Sequence, residues 1–148
     1  SAYLKQGDNS QIVVKMTATT SFQLKAVSRN KRIAVIYDSA TPALKVYDFS
    51  STTPTTILSS SGRLVTASLY TGITISSATV NVADDGRGLR INDKIFHWNA
   101  GSSAYVLDNL PSGVTALSNP VFSGDFSIAV VDTGIWKYSS GSYSVDRA

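Results

Sequence analysis

Residues 123–138 read Ser-Gly-Asp-Phe-Ser-Ile-Ala-Val-Val-Asp-Thr-Gly-Ile-Trp-Lys-Tyr. A polar turn leads into an apolar run, Asp132-Thr133-Gly134 reverses the chain, and a second apolar run ends in an aromatic. Asp suits such a reversal because its carboxylate accepts nearby backbone N–H groups, and Gly because it tolerates positive φ. The stretch predicts one β-hairpin, and looser versions of the pattern end at Trp98 and at Tyr47.

The composition agrees with a chain built of such hairpins. Glu is absent and all 10 acidic residues are Asp. Glu favours exposed helical faces, whereas Asp and the abundant Ser favour turns, so an all-β class is expected. A chain of 148 residues buries roughly two-thirds of its unfolded surface and suits one domain over residues 1–148. A first residue of Ser in place of Met is what processing from a longer chain leaves, so a fragment of a larger chain is the other expectation.

The net charge of +3 is too small to imply a polyanionic partner, though the basic residues gather before residue 60. Without Cys there is neither a disulfide framework nor a thiolate metal site, and redox logic assigns no compartment. No apolar run approaches the ~20 residues of a membrane helix. A soluble chain without membrane insertion is expected, with virion and extracellular settings both open.

Along the chain, strands are expected at residues 11–17, 22–26, 32–37, 43–49 and 55–58, with 33–37 apolar enough to be covered on both faces. Residues 63–70 and 73–75 flank Thr71-Gly72 as a further hairpin. Residues 78–83, 88–91, 94–99 and 103–107 read as four successive strands, and 119–123, 126–132, 135–138 and 142–145 repeat that rhythm. Pro111 stops any strand near it, and residues 114–117 fit a short strand or one helical turn.

Three third-strand endings align as Leu44-Lys45-Val46-Tyr47-Asp48, Ile95-Phe96-His97-Trp98-Asn99 and Ile135-Trp136-Lys137-Tyr138-Ser139. Each is preceded by a polar turn and an apolar run. This resembles the blade of a WD40-like β-propeller, whose repeats span about 40 to 45 residues and end the third strand in an aromatic plus a polar residue. The Gly-His dipeptide of that family is missing, and its Trp-Asp ending survives as Tyr47-Asp48 and Trp98-Asn99. The resemblance implies antiparallel four-stranded meanders arranged as propeller-like partial blades; a β-sandwich or barrel is the alternative. Three blades are fewer than the roughly four to eight that close a ring, so completion by a homo-oligomer or by more chain is implied.

Residues that carry chemistry are sparse. His97 is the single histidine and no Gly-X-Ser-X-Gly elbow presents a nucleophile, which predicts a packed histidine and a non-enzymatic protein. Asp84, Asp85 and Asp93 lack the alternation of a calcium loop and read as turn residues. No cofactor or metal site is expected. Lys25, Arg29, Lys31 and Arg32 form the sharpest basic cluster, and without an interleaved aromatic platform it suits a protein partner better than nucleic acid. Tyr105, Tyr138 and Tyr143 lie beside turns and are expected to offer exposed contacts. These features predict an interaction or scaffold module that binds protein partners through loops and sheet edges. A structural virion component such as a capsid, spike or tail protein is the alternative, and a carbohydrate-binding domain the third reading.

Overall fold

The structure, a computed structural model, describes residues 21–48 and 62–147. The strands expected at 11–17 and 55–58 lie outside the described residues. Within them the chain is all-β: twelve strands form three four-stranded antiparallel sheets, each a meander in chain order. Sheet one holds β1 (Phe22–Val27), β2 (Ile33–Asp38), β3 (Ala43–Asp48) and β4 (Arg63–Val65). Sheet two holds β5 (Val80–Val82), β6 (Gly88–Ile91), β7 (Lys94–Asn99) and β8 (Ala104–Leu107). Sheet three holds β9 (Val121–Phe122), β10 (Ile128–Val131), β11 (Gly134–Ser139) and β12 (Ser142–Arg147). The sheets do not close into a barrel; the parallel contact of Asn109 with Ser142 is an isolated bridge.

Three details differ from the sequence reading. Only Arg63–Val65 of the expected 63–75 hairpin is strand, and two 3-10 turns, Ala67–Tyr70 and Ile75–Ser77, replace the rest. The ladder therefore completes sheet one instead of starting a new unit. Residues 114–117 are neither strand nor helix. Finally, Ala34 pairs with Tyr47, Leu89 with Phe96 and Ala129 with Trp136, so Tyr47 is the counterpart of Phe96 and Trp136, two positions from the aligned Trp98 and Tyr138. The longer β2–β3 hairpin, which turns through residues 39–42, shifts that register.

Alternation along each strand gives every sheet two faces, and the stack uses them in a fixed sense. Sheet one turns Ile33, Val35, Leu44, Val46 and Val65 towards sheet two, which answers with Val80, Val82, Leu89, Ile91 and Phe96. Sheet two turns its other face, with Ile95, towards Phe122, Ala129, Val131, Trp136 and Tyr143 of sheet three. We call these the forward and back faces. Burying a ring as large as that of Trp136 or Phe96, both among the fully buried side chains, contributes about 1.5–3 kcal/mol or more from area alone. A sheet covered on both sides loses strict alternation, which is why Ile33, Ala34, Val35 and Ile36 are all buried.

Candidate functional site

The first and second strands of each sheet are joined by the same turn. Its first residue is Ser28, Ala83 or Ser123, and its backbone N–H donates to the carbonyl of Ile33 (3.0 Å), Gly88 (2.8 Å) or Ile128 (2.9 Å). Two residues on, the Oδ1 of Asn30, Asp85 or Asp125 accepts the backbone N–H of Arg32 (3.0 Å), Arg87 (2.8 Å) or Ser127 (2.9 Å). The fourth residue adopts positive φ: Lys31 at 61°, Gly86 at 73° and Phe126 at 63°. In turns one and three the Ser Oγ also accepts the strand N–H, from Ile33 and from Ile128. These bonds satisfy the donors that a tight reversal exposes.

The three turns meet at one end of the stack. Asp84 joins them: its Oδ1 accepts the Asn30 N–H (2.9 Å), its carbonyl accepts Asn30 Nδ2 (3.0 Å), and its N–H donates to the Gly124 carbonyl (2.7 Å). Gly124 is glycine because a Cβ there would stand 2.5 Å from Asp84 Oδ2. Asp85 is spent inside its own turn and Asp93 on the Leu117 N–H (2.9 Å), so these aspartates act as hydrogen-bond acceptors that fix loops.

Beside this junction lies a cavity of about 220 Å³ lined by Val27, Arg29, Asn81, Val121, Ser123 and Phe126, among others. Its walls are the ends of β1, β5 and β9. Arg29 stands on the wall and Lys31 projects from the turn next to it, both exposed, and neither enters an ion pair among the described residues. Arg32 follows, half-buried. Lys25 is tied elsewhere, its Nζ donating to the Ser76 carbonyl at 3.3 Å. The basic cluster is therefore Arg29, Lys31 and Arg32, with Lys25 held against the sheet-two side.

Of the three tyrosines expected at the surface, two are buried and Tyr138 is half-buried. Tyr105 and Tyr143 are buried, and each donates its hydroxyl at 2.6 Å to the carbonyl of the positive-φ residue of its own sheet's turn, Gly86 and Phe126. Burial pushes the Tyr105 hydroxyl up to about 12, with the neighbouring Arg63 opposing. Burial also raises that of Tyr143. Tyr138 is half-buried and stacks on His97 with ring centroids 3.8 Å apart. Tyr105 and Tyr143 are covered because an outer strand in a stack still has one face towards a neighbouring sheet or turn, and Tyr138, on the inner strand β11, is covered by His97.

No protein family, curated protein or solved structure matches this chain.

His97 lies on the forward face of sheet two. Its Nδ1 is hydrogen-bonded to the Asp108 carboxylate, and Tyr138 and Tyr143 of sheet three cover it. Burial raises the Asp108 carboxyl above its ordinary value, and the bond to His97 opposes that rise. Asp108 follows β8 directly, so the β7–β8 register, with His97 opposite Val106, brings the two residues together. No serine hydroxyl is bonded to His97 among the described residues. The pair is built as an inter-sheet contact. On the other side of sheet two, the Arg63 guanidinium lies 5.1 Å from the centre of the Trp98 ring.

Proposed function

We propose that this chain is a non-enzymatic interaction module, a partial propeller-like stack whose turn end holds a protein partner. The observation that carries the reading is the cavity at the turn junction. Its walls are apolar at Val27, Val121 and Phe126, and Arg29 and Lys31 stand beside it without an acidic partner among the described residues. An apolar recess with a cationic rim fits an aliphatic side chain flanked by Asp or Glu in a partner segment. The propeller part of the reading is supported by the repeated turn and by the constant use of forward and back faces. Burial of Tyr105 and Tyr143 removes two of the rings that the carbohydrate reading would use.

The test is titration of an array of acidic peptides, each with one central Leu or Ile, against the purified chain. Binding is expected to weaken as salt rises and to fall at least tenfold in Arg29→Glu. Peptides that bind Arg29→Glu as well as the parent chain refute the turn end as the docking site.

A further inference from the structure

The wall of the turn-end cavity carries one polar side chain that an acidic segment at the rim would not use. Asn81 alternates with Val80 and Val82 along β5, so it stands on the forward face of sheet two, in a cross-strand row with Arg90 and Ile95. Arg90 is buried; its Nε donates to the Asn92 carbonyl and its Nη1 to Asn81 Oδ1 at 2.8 Å. A guanidinium only donates, so the amide atom that faces Arg90 is the oxygen and the nitrogen lies on the other side. That nitrogen is not buried, and it donates to no acceptor among the described residues.

The rest of the wall decides which ligand suits that donor. Arg29 is exposed and unpaired among the described residues, while the Ser123 hydroxyl is engaged, donating to Asp125 and accepting the Ile128 N–H. Among the described residues no carboxylate lines the cavity; Asp84 packs against Gly124 without joining the wall, and its Oδ1 accepts the Asn30 N–H. Free side-chain donors beside an apolar surface, with the Arg90 charge behind one of them, favour an anion inside the recess and not only at its rim. A volume of about 220 Å³ is below the roughly 300–1,000 Å³ of small-molecule sites and suits a single residue. In an extended segment neighbouring side chains point to opposite sides, so an acid next to an internal Leu stays outside. The α-carboxylate of a terminal Leu shares its Cα with the side chain and enters with it.

We infer that the turn end captures the free C-terminus of its partner. The side chain of a terminal Leu, Ile or Val lies against Val27, Val121 and Phe126, and its α-carboxylate accepts hydrogen bonds from Asn81 Nδ2 and Arg29. Lys31, exposed on the adjoining turn, is left for an acidic residue farther back in the same segment. The inference rests on the turn end being the docking site and adds which part of the partner is held there.

The test is fluorescence anisotropy on the intact chain with one labelled acidic peptide ending in Leu, prepared as the free acid, as the C-terminal amide, and with Gly-Ser-Gly added after the Leu. The free acid is expected to bind at least tenfold more tightly than either of the other two. Asn81→Asp keeps an acceptor for Arg90 and puts an anion where the donor was, so it is expected to stay folded by circular dichroism and to lose that preference. The comparison of peptides on the parent chain does not depend on how the variant folds. An amide or an extended peptide that binds as tightly as the free acid overturns the inference; if Arg29→Glu weakens that binding, the turn-end reading stands. Failure of all three peptides to bind overturns the inference as well. A preference for the free acid that persists in Asn81→Asp overturns the role given to Asn81.

Discussion

Gly88 opens β6 on the forward face of sheet two, where Phe126 of the third turn presses against it. A Cβ at Gly88 would stand 2.7 Å from Phe126 Cγ and 2.8 Å from Phe126 Cβ and Cδ2. Gly88 is not among the positive-φ residues, so Gly88→Ala strains no backbone and its whole cost arises from this contact. Phe126 has little room to retreat. Its N–H donates to the Ser123 carbonyl at 3.0 Å, its carbonyl accepts the Tyr143 hydroxyl, and its ring stacks on Phe122 with centroids 4.2 Å apart. Overpacking of this kind costs about 1–3 kcal/mol, which in a domain of this size lowers the melting temperature by roughly 3–10 °C. In a Phe126→Ala background the obstructing ring is gone. There the same substitution is expected to be neutral or to stabilise by up to about 1 kcal/mol, because Gly is the costlier residue inside a strand. Urea unfolding of the parent, both single variants and the double variant measures that coupling. Equal losses from Gly88→Ala in both backgrounds would show that Phe126 is not what Gly88 accommodates.

Other outcomes follow from the same geometry. Tyr143→Phe removes the donor to the buried Phe126 carbonyl while keeping the ring, and is expected to cost about 1–3 kcal/mol in chemical unfolding; an unchanged midpoint would mean that water replaces the bond. Asp108→Asn concerns a carboxyl whose value is raised on folding, mainly by burial. For an acid shifted in this direction the folded chain holds its proton more tightly, so the group's contribution to stability falls as pH rises from about 4, the unfolded value, through the folded value. The variant is expected to match the parent chain most closely in acid and to gain on it as pH rises. Parallel stability profiles from acid to neutral pH would contradict that.

Much of the fold is legible in local chemistry. Ser28, Asn30, Asp85, Ser123 and Asp125 mark the three equivalent turns because short polar side chains bond the backbone within a few residues, an effect that does not depend on the rest of the molecule. The apolar run at residues 33–37 shows double coverage for a similar reason. What the sequence conceals depends on contacts between sheets. Phe126 at φ 63° is a bulky side chain in a strained conformation, held there by burial against Gly88 and Phe122. Tyr105 and Tyr143 sit in outer strands beside turns, and only the assembled sheets place the carbonyls of Gly86 and Phe126 within their reach. The cavity is hidden likewise, since its walls come from three strand ends far apart in sequence. Arg29 could be found from its charge, but not the recess beside it.

Each ladder joins strands that are neighbours along the chain, so every sheet can complete its hydrogen bonding using nearby residues alone. During synthesis such a chain would emerge as a series of finished sheets, each offering one wet apolar face until the next arrives to cover it. The folded molecule keeps the look of one such stage at Val121 and Val130, which stand exposed on the forward face of sheet three.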